Sequence, residues 1–173
     1  MRVVAGELRG RPLVAPRGED VRPTSDRARE ALFSILGSVE GLDVCDLFCG
    51  TGALAIEALS RGARHAVLVD TDIGPARVNV EALDLAGRAE LVSGDALAYL
   101  DSASAPFGLI LCDPPYTLAA RVARDLEKLV PLRLGEGGRL VIESPSRTPI
   151  ELGLSLEADR TYGEASIRIW SAP

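Results

Sequence analysis

Four aspartates each follow a short apolar run in this sequence, and carboxylates so placed could bind a polar ligand. They are Asp46 in "LDVCDLF", Asp70 in "HAVLVD", Asp95 in "AELVSGD" and Asp113 in "FGLILCD". A carboxylate accepts hydrogen bonds from N–H and O–H groups and attracts cations. The chemistry that these four could share depends on the elements that bring them together.

After residue 40 the apolar runs alternate with helical patterns. The runs predict strands over 42–48, 65–70, 89–95, 107–113 and 137–144, and apolar residues at three- and four-residue spacing predict helices over 53–62, 74–87, 96–102 and 118–130. Such alternation builds a parallel sheet through right-handed crossovers, which brings the carboxyl ends of the strands to one edge. The four aspartates are therefore expected at that edge of a single α/β domain.

The two ends of the chain follow other patterns. Residues 154–170 alternate around Tyr162-Gly163-Glu164, which predicts an antiparallel hairpin. Residues 2–15 are expected to be extended, with turns at Gly6 and Gly10. Residues 24–36 predict a helix. Its expected apolar stripe is Ala28, Leu32, Ile35 and Leu36, with Arg27 and Arg29 off that stripe.

A glycine pair separates the first predicted strand from the first predicted helix after it. Gly50 and Gly52 allow a tight turn and close approach of a ligand to the backbone. Asp70 comes twenty residues after Gly50, where a carboxylate can accept hydrogen bonds from both hydroxyls of a ribose. The pattern favours a nucleoside site, with a plain tight turn as the alternative.

The identity of the nucleoside depends on the other carboxylates. Gly50-x-Gly52-x-x-Ala55 fits a dinucleotide fingerprint if it is read loosely. Asp46 would repel a pyrophosphate but would suit an ammonium group. Asp95 could accept a hydrogen bond from an adenine amine, or it could only cap the helix that follows. Together the carboxylates suit S-adenosylmethionine better than a nicotinamide cofactor.

The segment Asp113-Pro114-Pro115-Tyr116 ends the fourth predicted strand. Proline fixes φ and donates no hydrogen bond, so the turn is stiff and its carbonyls have no competing N–H from the prolines. The Asp113 carboxylate and the Pro114 carbonyl could hold both N–H groups of the exocyclic amine of a base, and Tyr116 could stack on that base. The segment predicts methyl transfer to an amine, governed by positioning; a simple strand-ending turn is the alternative.

Composition and charge limit the classes that remain. The net charge is −6, with +2 on residues 1–35 and −8 on the rest, which argues weakly against a general nucleic-acid binder. The basic N-terminal end could contact phosphate, and a solvated face is the alternative that charge alone favours. The three cysteines have no metal-type spacing, so no metal is expected. The sequence carries no long apolar stretch, which predicts a cytoplasmic protein with no membrane contact.

The chain resembles a known family over nearly all of its length. "DLFCGTGALA" with "DPPY" is similar to class I S-adenosylmethionine-dependent amino-methyltransferases. "RVVAGELRGRPL", "RPTSDRAREALFSIL", "DLFCGTGALAIEALSRGA", "DPPY" and "YGEASIRIW" follow the order found in the bacterial small-subunit ribosomal RNA methyltransferase D family, RsmD.

The resemblance implies a Rossmann-like domain over residues 37–173, with a seven-stranded, mostly parallel sheet, its last strand antiparallel, and helices on both faces. It also implies an RNA-binding extension of hairpin plus helix over residues 1–36. The implied reaction moves a methyl group from S-adenosylmethionine to the N2 amine of one guanine in 16S rRNA, usually numbered 966. The expected partner is that RNA within a partly assembled 30S subunit with ribosomal proteins, and a monomer is expected.

The resemblance also assigns roles to residues. The catalytic turn would be Asp113, Pro114, Pro115 and Tyr116. The cofactor residues would be Asp46, Phe48, Gly50, Thr51, Gly52, Asp70, Thr71, Asp95 and Ala96. The residues that meet RNA would be Arg9, Arg11, Arg22, Thr24, Arg27 and Arg29. Three alternatives stay open: a DNA adenine-N6 or cytosine-N4 methyltransferase, a nicotinamide-dependent oxidoreductase and a non-catalytic RNA-binding assembly factor.

Overall fold

Seven strands and five α-helices occupy residues 1–15 and 26–172, which are the residues that this computed structural model describes. The helices are α1 (Asp26–Leu36), α2 (Ala53–Ser60), α3 (Gly74–Ala82), α4 (Ala96–Ser102) and α5 (Ala119–Arg133), and a short 3₁₀ turn covers Tyr116–Leu118. The strands are β1 (Asp43–Leu47), β2 (His65–Asp70), β3 (Ala89–Ser93), β4 (Phe107–Cys112), β5 (Leu134–Pro145), β6 (Ser155–Tyr162) and β7 (Ala165–Ser171).

All seven strands form one sheet in the order β3-β2-β1-β4-β5-β7-β6. Neighbouring strands from β3 to β5 are parallel, and β7 is antiparallel to both β5 and β6. The predicted α/β fold with an antiparallel last strand is therefore confirmed. The chain leaves β1 toward β2 on one side and returns to β4 on the other, so a crevice opens between the carboxyl ends of β1 and β4.

Each face of the sheet packs against its own helices. Successive side chains of a strand point to opposite faces. Val44 accordingly lies in one buried cluster with side chains of α1, α2 and α3, while Cys45 lies in the other with side chains of α4 and α5. Burial on both faces explains why the central strands are continuous apolar runs.

The N-terminal segment docks on α2. Gly6 and Gly10 turn with positive φ, as expected, and Arg2 bridges to Pro12. The fully buried Glu57 carboxylate accepts hydrogen bonds from the backbone N–H groups of Val4 and Ala5. Val3 and Leu13 join the same apolar cluster as the strands, so the segment packs on the domain core.

Two local predictions fail for identifiable reasons. Helix α3 ends at Ala82 rather than near residue 87, because Asp84 takes a left-handed conformation (φ 56°) and the Leu85 N–H bonds back to the Val80 carbonyl. In α1 the buried positions include Arg29 and Phe33, whereas Ile35 is exposed. Within the described residues, no helix combines the length and apolar character needed to cross a bilayer.

Candidate active site

A cleft of about 930 Å³ lies at the carboxyl ends of the strands, over the crevice between β1 and β4. Cofactor residues predicted from the sequence line it on one side: Phe48, Gly50, Thr51, Asp70, Thr71, Asp95 and Ala96. The turn Asp113-Pro114-Pro115-Tyr116 lines the same cleft. Two motifs more than sixty residues apart in sequence therefore share one cavity.

The loop after β1 is a strained backbone segment held by specific contacts. Phe48 has φ 60°, which is uncommon for a residue with a side chain, and Gly50 and Gly52 have φ 53° and 75°. A Cβ on Gly52 would lie 2.6 Å from Leu68 Cδ2, whereas one on Gly50 would meet nothing within 4 Å. Gly52 thus allows close packing behind the loop, and Gly50 leaves space in front of it.

Asp70 links this loop to the end of β2. Its Oδ2 accepts the Gly50 N–H at 2.8 Å, and its Oδ1 accepts the Asp72 N–H at 3.1 Å. Thr71 Oγ1 lies 3.4 Å from Oδ1. Each carboxylate oxygen can accept more than one hydrogen bond, so Asp70 can hold the loop and still receive a hydroxyl in the cleft.

Asp46 and Gly52 lie behind the cleft wall, and their predicted position at the ligand surface is wrong. The Asp46 side chain is 1% exposed, and its Oδ2 accepts the Ala55 N–H at 3.0 Å, in the first turn of α2. Burial, and to a smaller extent the charge of Asp70, raises the pKa of Asp46 to about 7 against the lowering effect of the Ala55 hydrogen bond. Asp46 therefore holds the first turn of α2 behind the cleft wall.

Asp95 is the N-cap of α4. Its Oδ1 accepts the N–H groups of Leu97 and Ala98 at 3.0 and 2.9 Å, and Arg121 donates to its Oδ2 at 2.9 Å. The Ala98 hydrogen bond and the Arg121 partner hold the pKa of Asp95 below its usual range. Asp95 therefore caps α4, and because it also lines the cleft, its acceptance of an adenine amine stays a prediction.

The Asp113–Tyr116 turn leaves β4 where its pairing with β1 ends. The Asp113 N–H still reaches the Leu47 carbonyl at 3.4 Å, and Tyr116, 54% exposed, begins the 3₁₀ turn. Burial raises the pKa of Asp113 well above its ordinary value, and the charges of Glu143 and Asp46 raise it further. The turn presents a carboxyl group to the cleft, beside a ring that a base could stack on.

The far wall of the cleft was not expected from the sequence. It consists of Ala28, Glu143, Tyr162, Gly163, Glu164, Ala165 and Ile167. Glu143 follows the apolar residues of β5 and obeys the same rule as the four aspartates, so that rule could have identified it. The turn between β6 and β7 carried no comparable signal, since its place depends on the order of strands in the sheet.

The expected RNA contacts divide into three groups. Arg9, Arg11 and Arg27 are exposed. Arg22 and Thr24 lie outside the described residues. The expectation for Arg29 is wrong, because its side chain is fully buried, bonds to Asp26 at 2.8 Å and lies 3.6 Å from the Glu57 carboxylate.

Arg9 and Arg11 lie away from the cleft. The Glu7 N–H bonds to the Ser60 carbonyl at the last turn of α2, and Arg11 donates to the Ala82 carbonyl at the end of α3. The eight residues of α2 span about 12 Å from the glycine loop to that end. Arg27 is closer to the cleft, since the next residue along the chain, Ala28, lines the cleft wall.

The charge of the cleft decides between ligand classes. Its acidic residues are Asp70, Asp72, Asp95, Asp113, Glu143 and Glu164, and the described residues of the wall include no lysine or arginine. Such a wall disfavours a pyrophosphate and favours a ligand that carries positive charge and N–H or O–H donors. A nucleoside with a sulfonium and an ammonium fits this donor and charge pattern. Among the described residues, no group of three or more His, Cys, Asp and Glu side chains could hold a metal ion.

The fold and the cleft together define a class I methyltransferase. The model of the family described as "Conserved hypothetical protein 95" matches residues 1–171. The chain is 32% identical over 182 residues to the Escherichia coli K12 protein named "Ribosomal RNA small subunit methyltransferase D", covering 98% of this chain and 89% of that protein. The chain belongs to this family, the small-subunit ribosomal RNA methyltransferase D family.

Two further proteins are similar to this chain over nearly its whole length. A candidate rRNA methyltransferase of Bacillus subtilis, YlbH, is 35% identical over 185 residues, which cover 98% of each chain. The solved structure of a candidate methyltransferase from Escherichia coli, YhhF, superposes with a TM-score of 0.84 at 30% identity, covering 99% of this chain and 97% of that chain.

Proposed function

We propose that this protein transfers a methyl group from S-adenosylmethionine to the N2 amine of one guanine in 16S rRNA, at the position usually numbered 966, during assembly of the 30S subunit. The observation that carries the proposal is the shared cleft, which the Asp113–Tyr116 turn, the glycine loop and Asp70 all line. The relatedness to a small-subunit rRNA methyltransferase over 98% of the chain supports the RNA substrate.

The cofactor end of the cleft is built by three carboxylates and the loop. S-adenosylmethionine supplies an activated methyl group on a cationic sulfur, so no covalent nucleophile is required of the protein. Gly50 and Thr51 line the methionine end, Asp70 receives the ribose hydroxyls and Asp95 the adenine amine. Asp46 orders the start of α2 behind this wall.

The turn positions the amine. The lone pair of a guanine N2 amine is delocalised into the ring, so the amine is a poor nucleophile. Hydrogen bonds from its two N–H groups to Asp113 and to the Pro114 carbonyl favour a pyramidal nitrogen with its lone pair toward the methyl group. An ionised Asp113 can also take the proton that the amine loses, and Tyr116 stacks on the base.

The substrate must present an unpaired or flipped guanine, because a base inside a helix cannot enter this cleft. Arg27 lies next to the cleft and meets the RNA backbone there, while Arg9 and Arg11 meet it farther away. With so small a surface for reading sequence, the partly assembled subunit and its ribosomal proteins present the target. The protein acts as a monomer in the cytoplasm.

The test is methylation of 30S subunits from a strain that lacks the corresponding gene. Purified protein and S-adenosylmethionine with a labelled methyl group are incubated with the subunits, and the digested RNA is examined by mass spectrometry and primer extension. One N2-methylguanosine at the expected position is the predicted product. The same protein is assayed in parallel with DNA and with NAD. Methylation of adenine or cytosine in DNA, or turnover of NAD alone, would contradict the proposal and would favour an alternative.

A further inference from the structure

Glu143 lies beside Asp113 at the carboxyl end of the neighbouring strand. Cys112 pairs with Ile142 in the parallel ladder between β4 and β5, so the two acidic residues that follow are themselves neighbours. Both line the cleft. Val141 and Leu111 contribute to the same apolar cluster, and because side chains alternate along strands, Glu143 and Asp113 leave the sheet on that same face.

The backbone of Glu143 is fixed on its other side as well. It pairs with Ile167 of β7 in the antiparallel ladder, and Ile167 is another residue of the cleft wall. A side chain on a strand held from both sides is positioned more accurately than one on a loop. Glu143 is therefore built into the sheet at the part of the cleft where the target base would lie.

The two carboxylates match the donors of one particular base. Guanine carries the exocyclic N2 amine next to a ring nitrogen, N1, that bears a hydrogen, so it presents neighbouring N–H donors. In adenine and cytosine the ring nitrogen next to the amine is an unprotonated acceptor, which a carboxylate would repel. A buried acceptor that loses its donor is costly, and that cost discriminates between substrates.

We propose that Glu143 is the residue that selects guanine, by accepting the N1–H hydrogen bond while Asp113 and the Pro114 carbonyl hold the N2 amine. This assignment rests on the proposed function, because it presumes an N2 amine at the turn. The influence of the Glu143 charge on the pKa of Asp113 agrees with the closeness of the two groups.

The test compares guanine with 2,6-diaminopurine at the target position of 16S rRNA, assembled into 30S subunits. This analogue keeps the 2-amino group but has no hydrogen on N1. The native protein should methylate guanine at least about tenfold more efficiently than the analogue. Glu143→Gln should reduce that ratio at least about tenfold, because the amide can donate to the unprotonated N1.

Glu136→Gln is the matched control, since Glu136 is an exposed residue on the opposite part of the same strand and should leave the ratio unchanged. If Glu143→Gln methylates neither RNA, the preference is measured instead as a ratio of affinities. The protein then binds 30S subunits that carry guanine or 2,6-diaminopurine, in the presence of S-adenosylhomocysteine. If Glu143→Gln leaves the preference for guanine over 2,6-diaminopurine unchanged, the role of Glu143 is overturned. The proposed function is upheld separately if the native protein makes N2-methylguanosine. A native product on any other atom would overturn both.

Discussion

Gly50 donates its backbone N–H to Asp70 Oδ2 across 2.8 Å, joining the ends of two neighbouring parallel strands. The residue expected to bind the ribose is thus also the residue that holds the glycine loop. Because one carboxylate serves both purposes, the shape of the cofactor site and its affinity are coupled.

Asp70→Ala should weaken binding of S-adenosylmethionine by about ten- to a hundredfold, since hydrogen bonds to a charged group contribute about 1.5–3 kcal/mol. Isothermal titration calorimetry measures the dissociation constant. Asp101→Ala, an exposed position on α4, is the control and should bind normally. Equal affinity of Asp70→Ala and the native protein would remove Asp70 from the site.

Gly52→Ala should destabilise the fold because two penalties coincide. The left-handed φ of 75° disfavours alanine by about 1 kcal/mol, and the new Cβ would meet Leu68 Cδ2 at 2.6 Å, which adds about 1–3 kcal/mol. Gly41 has the same φ of 75° with nothing within 4 Å of its Cβ position, so Gly41→Ala measures the backbone penalty alone. Thermal melting should show the larger drop in Tm for Gly52→Ala, and equal drops would contradict the packing argument.

Much of this architecture could be predicted from the sequence because it depends on local patterns. Buried parallel strands are continuous apolar runs, and their carboxyl ends carry the aspartates. Arg29 was misassigned because its burial depends on Glu57, a partner twenty-eight positions away on another helix. The part of the far cleft wall formed by the turn between β6 and β7 depends on the insertion of β7 between β5 and β6, which no local pattern records.

Asp46 should make the stability of the protein depend on pH. Its pKa is about 7 in the folded protein, against about 3.9 in an unfolded chain, so between these values the folded state retains a proton that the unfolded state releases. The free energy of unfolding should therefore fall as pH rises through this range. Relative to Asp46→Asn, the native protein should lose on the order of 2–4 kcal/mol between pH 4 and pH 8.

Urea denaturation at several pH values measures this difference, with Asp101→Asn as the exposed control. Comparing each variant with the native protein cancels the other groups that titrate over the same range. If the difference in the free energy of unfolding between the native protein and Asp46→Asn is the same at every pH, burial does not hold the proton on Asp46.

Asp113 should control the pH dependence of methyl transfer. Burial and two neighbouring carboxylates raise its pKa, so it is protonated at pH values where an ordinary aspartate is ionised. Since the ionised form is the better acceptor for the amine, kcat/KM should rise with pH to a plateau above that raised pKa. Asp113→Asn keeps an acceptor that does not titrate, so its kcat/KM should be lower and should no longer rise with pH. Asp113→Ala should still bind S-adenosylmethionine but should not methylate.

Arg27 and Arg29 are two positions apart on α1 and should respond oppositely to substitution. Arg29 is buried beside Glu57, so Arg29→Ala removes a buried guanidinium that pairs with Glu57 and Asp26. Because Arg61 still pairs with Glu57, the expected loss of stability is on the order of 2–3 kcal/mol. Arg27 is exposed next to Ala28 of the cleft wall, so Arg27→Ala should leave the Tm unchanged and reduce the slope of log affinity for RNA against log salt by about 1. Arg124→Ala, exposed on α5 across the sheet, is the control for the slope. A slope that Arg27→Ala leaves unaltered would show that the cleft-side end of α1 does not meet the phosphate backbone.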